Sequence, residues 1–101
     1  SQDILSNIPE EFALGQNYPN PFNPITNMDY TLPQRSRVTI SIYNVLGQEI
    51  KNLVNGEQDY GFHSISWDGT DMNGREVSSG VYFTQMRSTS FSQTKKMLLL
   101  K

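Results

Sequence analysis

From Met28 onward, apolar and polar residues alternate with a period of two, the pattern of strands that bury one face and expose the other. Met28, Tyr30 and Leu32 fall on one face of a first such strand, which stops at Pro33-Gln34-Arg35-Ser36. Val38, Ile40 and Ile42 share a face of the next, with Thr39 and Ser41 opposite, and these two strands are expected to form a hairpin. Tyr43 to Gly47 predicts a turn and Glu49 to Val54 a third strand. Asn55-Gly56 predicts another turn, because that pair readily takes positive φ. Across Gly61 to Trp67, the residues His63, Ile65 and Trp67 oppose Ser64 and Ser66. Asp68 to Gly74 is dense in residues that hydrogen-bond their own backbone, so it reads as a loop.

Gly80 to Lys101 reads as a long β-hairpin: an arm from Gly80 to Ser88, a turn at Thr89-Ser90, and a second arm from Phe91. That second arm passes from Ser92-Gln93-Thr94-Lys95-Lys96 into Met97-Leu98-Leu99-Leu100, where both faces of a strand are apolar. A tetrapeptide of this kind is either tucked into a core or kept available for a partner. At the other end, residues 1–11 have the composition of a linker joining something upstream, with a short amphipathic helix as the competing reading; the folded domain is expected over residues 12–101. Leu14 to Pro24 carries Pro19, Pro21 and Pro24, which remove backbone donors and force extended geometry. It should be a stiff strap along a sheet edge, anchored by Tyr18 and Phe22. The whole predicts an all-β antiparallel sandwich of about seven strands if the strap contributes one. Its expected core holds Tyr30, Val38, Ile40, Ile42, Ile65, Trp67 and Phe83.

Composition narrows the function more than it narrows the fold. A chain of 101 residues suits one domain with a core of its own. The absence of cysteine removes disulfides, thiol catalysis and thiolate metal sites. A net charge of −2, with scattered cations, gives no footprint for nucleic acid, and no apolar run is long enough for membrane insertion. There is no Gly-x-Ser-x-Gly elbow, and the single histidine, His63, shares strand parity with Ile65 and Trp67, which suits a partly buried side chain better than a base. One histidine without cysteine also makes a poor zinc site. The chain is therefore expected not to be an enzyme, with no catalytic, metal or cofactor residue. Asp68, Thr70, Asp71 and Asn73 offer oxygens in one loop, but their spacing misses the helix-loop-helix calcium pattern, and Asp68 and Asp71 capping backbone donors is the simpler reading. Exposed aromatics would suit a sugar ligand; Tyr30 and Trp67 read as core, which leaves Tyr43, Tyr60 and Tyr82 open.

Five stretches in order carry a resemblance: Leu14 to Pro24, Tyr43-Asn44-Val45-Leu46-Gly47, Trp67-Asp68-Gly69-Thr70-Asp71, Ser79-Gly80-Val81-Tyr82, and Lys95 to Lys101. Together they resemble the C-terminal sorting domain (type A) of type IX secretion cargo, which is similar to the immunoglobulin-like module of flagellar hook-capping proteins. Asn27-Met28 departs from the family's more usual Thr and Ile, with Met filling the same inward position. The resemblance implies an immunoglobulin-like fold and a targeting function in a Gram-negative bacterium. The implied partners are an outer-membrane secretion translocon and a sortase-like peptidase, and the implied route is through the periplasm to the cell surface or medium. It also implies that Lys95, Lys96, Met97, Leu98, Leu99 and Leu100 are the end the translocon recognises, captured by strand addition. Pro19, Pro21, Pro24, Trp67, Asp68, Gly69, Asp71, Gly80 and Tyr82 would be the structural motif behind it. The alternative function is an accessory carbohydrate-binding or spacer module of a secreted hydrolase.

Overall fold

A computed structural model describes residues 8–101, and the expectations for residues 1–7, linker or helix, lie outside it. The described residues form seven strands and no helix. These are β1 (Ala13–Leu14), β2 (Thr26–Leu32), β3 (Ser36–Tyr43), β4 (Glu49–Gln58), β5 (Gly61–Trp67), β6 (Gly80–Ser88) and β7 (Phe91–Leu99). Two antiparallel sheets, ordered β1-β2-β5 and β4-β3-β6-β7, stack into an immunoglobulin-like sandwich. The seventh strand is Ala13–Leu14, so the strap contributes its first residue to it.

Alternation places the core as strand parity dictates. Met28, Tyr30 and Leu32 from β2 face Val38, Ile40 and Ile42 from β3, and all six are buried. They divide between two clusters. Leu14, Tyr30, Leu32, Val38, Ile40, Val54 and Met86 fill one end of the sandwich, while Phe22, Met28, Ile42, Trp67, Tyr82, Met97 and Leu99 fill the other.

Three expectations about this scaffold are corrected. The strands β2 and β3 are not a hairpin: β2 pairs with β5, and β3 with β4 and β6. Their apolar faces meet across the core, and the short link between them, with a proline that lacks an N–H, crosses from sheet to sheet. Asn55-Gly56 is not a turn, because β4 continues to Gln58 with Asn55 opposite Thr39 and Gly56 opposite Val38. Pairing along the whole of β3 outweighs the local preference of the dipeptide. Phe83 lies on the outer face of its sheet, since β6 turns Tyr82, Thr84, Met86 and Ser88 inward. Two of those four are polar, which disguises the inward phase in the sequence. Ile65 has the expected parity but is half-buried, on the edge strand β5.

Candidate functional site: the carboxy-terminal strand and its strap

The terminal hairpin forms as its residues suggest, with β6 and β7 in register from Gly80 opposite Leu99 to Ser88 opposite Phe91. Strand β7 is the edge of the four-stranded sheet, and its tail separates by parity. Met97 and Leu99 point inward and are fully buried among Phe22, Trp67 and Tyr82. Lys96 points outward and is exposed, Leu98 is half-buried, Leu100 is 50% exposed, and Lys95 is half-buried on the inward parity. Of the six tail residues singled out by resemblance, Met97 and Leu99 therefore offer no side chain to a partner of the folded domain.

The strap runs along this edge, as its prolines suggest. Phe22 N–H donates to Leu98 O (3.0 Å), and Leu100 N–H donates to Phe22 O (3.0 Å), which makes a single parallel bridge between Phe22 and Leu99. Asn20 Oδ1 accepts from Leu98 N–H at 3.0 Å, and Gln16 Nε2 donates to Lys96 O at 2.8 Å. Backbone groups of the tail that a further strand would use are thus already engaged by the strap.

Two residues anchor the strap, but they are not the predicted pair. Phe22 is buried and packs against Trp67, with ring centroids 5.7 Å apart. Tyr18 is 49% exposed; its backbone bridges Asn27, and its hydroxyl donates to Asp29, a bond that raises its pKa above the usual 10.0. The second anchor is Asn17, which is buried and donates to Thr26 Oγ1 (2.9 Å) and Pro19 O (3.2 Å). Thr26 donates to Pro19 O in turn. Alternation carries no sign of such a polar anchor. The one available signal was an asparagine beside prolines, where backbone carbonyls lose their usual partners.

Of the expected motif residues, Trp67, Gly69, Gly80 and Tyr82 lie against the buried half of the tail. Pro19, Pro21 and Pro24 are exposed and shape the strap rather than fill the core. Trp67 stacks edge-on against Tyr82 at 5.3 Å, and its indole N–H donates to Thr70 O at 2.9 Å. Tyr82 donates to Ser78 O (2.7 Å), and burial raises its pKa. Gly69 has φ +76° and lies where a Cβ would approach Pro24 O at 3.3 Å and Leu99 Cδ2 at 3.8 Å, so a side chain there would press on strap and tail together. Gly80, with φ +148°, pairs with Leu99.

In the loop after Trp67 the carboxylates cap backbone, as the simpler reading expected. Asp68 Oδ1 accepts from Thr70 N–H and hydroxyl, and Asp71 Oδ1 accepts from Asn73 and Arg75 N–H. The Thr70 hydroxyl, with Lys51 nearby, holds the Asp68 carboxyl below its ordinary range. His63 is half-buried and stacks on Tyr30 at 5.0 Å, with Nε2 2.9 Å from Asp59 O. Of the aromatics left open, Tyr82 is core, Tyr43 half-buried and Tyr60 exposed.

The architecture and its terminal edge define a small immunoglobulin-like module. The chain belongs to the FlgD Ig-like domain family, whose model matches residues 24–92. It is similar in structure to FLGD from P. aeruginosa, with a TM-score of 0.57 and 24% identity over 73% of this chain and 57% of that one. A second likeness is to dimeric latent PorU from Porphyromonas gingivalis (TM-score 0.65, 18% identity, 91% of this chain and 10% of that one). A third is to PorZ, an essential bacterial surface component of the type-IX secretion system of the same organism (TM-score 0.59, 15% identity, 91% of this chain and 12% of that one). The chain thus spans little more than half of the first structure and about a tenth of the others. At these identities the likeness is one of fold. No curated protein matches the sequence.

Proposed function

We propose that this chain is a non-catalytic sorting domain, which directs an upstream cargo through a type IX secretion translocon, from the periplasm to the cell surface or medium. One observation carries the reading. Strap, Trp67 loop and Gly80-Tyr82 segment, far apart in sequence, all close on the last strand, holding Met97 and Leu99 in the core while Lys96, Leu98 and Leu100 face outward. A rigidly presented strand is what a receptor can read with little ordering cost. The likeness in fold to PorU and PorZ, the latter a component of that system by its description, supports the same direction. Because the strap occupies the edge of the tail, recognition proceeds through outward side chains rather than by an added strand. A sortase-like peptidase then removes the domain or leaves it attached.

The test is a fusion. A periplasmic reporter joined to residues 1–101, in a bacterium with this secretion system, should reach the surface, and the same reporter without the domain should stay in the periplasm. Equal delivery of both would overturn the reading.

A second reading has one observation behind it. Phe62, 70% exposed, and Tyr18 stand near Asp29 and Ser64 on the outer side of the three-stranded sheet, an aromatic and polar surface of the kind that stacks on sugars. Retention of the domain on an insoluble polysaccharide, lost in Phe62→Ala, would favour that spacer function.

A further inference from the structure

The outer face of the four-stranded sheet carries apolar side chains that the fold does not use. Register places Glu49, Tyr43, Phe83 and Lys96 in one row across β4, β3, β6 and β7. Beside Phe83 on the same face stands Val81; opposite Val81 is Leu98, and Leu100 continues the line. At the Tyr43 end, the turn between β3 and β4 presents Val45 and Leu46, 68% and 78% exposed. That turn is rigid rather than loose: Asn44 Oδ1 accepts from both Leu46 and Gln48 N–H, Asn44 N–H donates to Gln48 O, and Gly47 N–H donates to Asn44 O. An ordered turn that shows two adjacent aliphatic side chains to water gains nothing in folding from them.

Val45, Tyr43 and Phe83 border a shallow, open depression of about 350 Å³, with Gln85 and Thr94 also lining it. That volume admits a single apolar anchor side chain with its flanking backbone. The charges around it are segregated by sign. Arg87, whose guanidinium donates to Tyr43 Oη at 3.2 Å, and Lys96 stand on the β6-β7 side, while the carboxylate of Glu49 stands on the β4 side. Neither Arg87 nor Lys96 has a carboxylate in an ion pair among the described residues. The outward positions of β2 and β5 on the opposite sheet, Asn27, Asp29, Thr31, Phe62, Ser64 and Ser66, carry no cation.

We infer that this depression, continuous with the outward tail through Val81 and Leu98, is a second contact surface for the export receptor. It takes an apolar anchor residue flanked by carboxylates that lie toward Arg87 and Lys96. The inference rests on the sorting function proposed above and extends it from the tail to the sheet face. Tail and face together give the receptor a folded surface, so it distinguishes a folded domain from an unfolded one with the same last residues. Contacts spread over a rigid sheet also hold orientation better than a frayed end.

The experiment compares surface display of a fused reporter with thermal unfolding of the purified domain, for two sets of variants. In the face set, Val45→Ser with Leu46→Ser, and separately Arg87→Glu, should each lower display at least tenfold with the melting temperature nearly unchanged, and Arg87→Lys should restore display. In the tail set, Leu100→Ser with Lys101→Ser removes exposed side chains beyond β7, together with the surface ion pair from Lys101 to Glu76. Normal display of both face variants beside a blocked tail set overturns the second surface and leaves the sorting reading standing. Normal display of every variant overturns both. Loss of display with Arg87→Lys as severe as with Arg87→Glu overturns the carboxylate partner. Should the Val45/Leu46 variant unfold, Arg87→Glu, at an exposed position, decides alone.

Discussion

Replacing Leu99 by alanine tests how the tail is divided between core and surface. Leu99 is fully buried between the strap residue Phe22, the Trp67 ring and the Gly69 turn. Leu→Ala removes three carbons, worth about 2.4 kcal/mol at about 0.8 kcal/mol for each buried methylene. The site cannot easily collapse, because the strap is held by backbone bonds on either side and Gly69 by its own turn. A cavity term therefore adds, bringing the loss to about 3 to 5 kcal/mol. Against a total stability of about 5 to 15 kcal/mol for a domain of this size, that is a large share. The melting temperature should fall by about 12 °C or more, on the scale of about 4 to 8 °C per kcal/mol. Leu100→Ser, one residue on but half exposed, should change stability by about 0.5 kcal/mol or less. Urea or thermal unfolding followed by circular dichroism reads both. A loss below about 1 kcal/mol for Leu99→Ala, or equal losses for the two variants, would refute the parity assigned to the tail.

Asn17→Ala removes the buried amide that donates to Thr26 Oγ1 and Pro19 O, leaving them only their bond to each other, and should cost about 1 to 3 kcal/mol by denaturant unfolding, where an exposed asparagine would cost almost nothing. The depressed pKa of Asp68 means that its carboxylate is held better in the folded chain than in the unfolded one. Its contribution is therefore present above the ordinary carboxylate pKa, near 3.8, and is lost as pH falls through the lower folded value. Wild type should exceed Asp68→Asn in melting temperature at neutral pH and lose that lead in strong acid; a lead constant with pH would contradict the assignment. Adding calcium should leave the melting temperature unchanged, since the loop carboxylates already accept backbone donors, and a saturable rise would reverse that view.

The fold was legible wherever apolar side chains alternate cleanly. In β2, β3 and β5 parity alone orients every strand, and the terminal hairpin could be placed with its turn. Alternation says which side of a strand is buried but not which strand lies beside it, so β2 and β3 looked like a hairpin when they face each other across the core. Local turn chemistry at Asn55-Gly56 misled because a partner strand of sufficient length lay opposite. At the candidate site, prolines announced an extended strap, whereas alternation marked only Trp67 as core and left Tyr82 open; Gly69 and Tyr82 joined it through the resemblance alone. The division of Met97 to Leu100 into inward and outward residues needed the register of β6 against β7. The hydrogen bonds of Asn17, Asn20 and Gln16 join positions that only the fold brings together, and for those no local pattern exists.

The central claim is that the outward side of the terminal strand is an address separate from its structural role. A variant with Lys96→Ser, Leu100→Ser and Lys101→Ser alters exposed groups while leaving Met97, Leu99 and every backbone bond to the strap in place. Surface display of a fused cargo and thermal unfolding of the purified domain are measured together. The account predicts cargo held in the periplasm by a domain that melts within a few degrees of wild type. Normal display of that stable variant would contradict it.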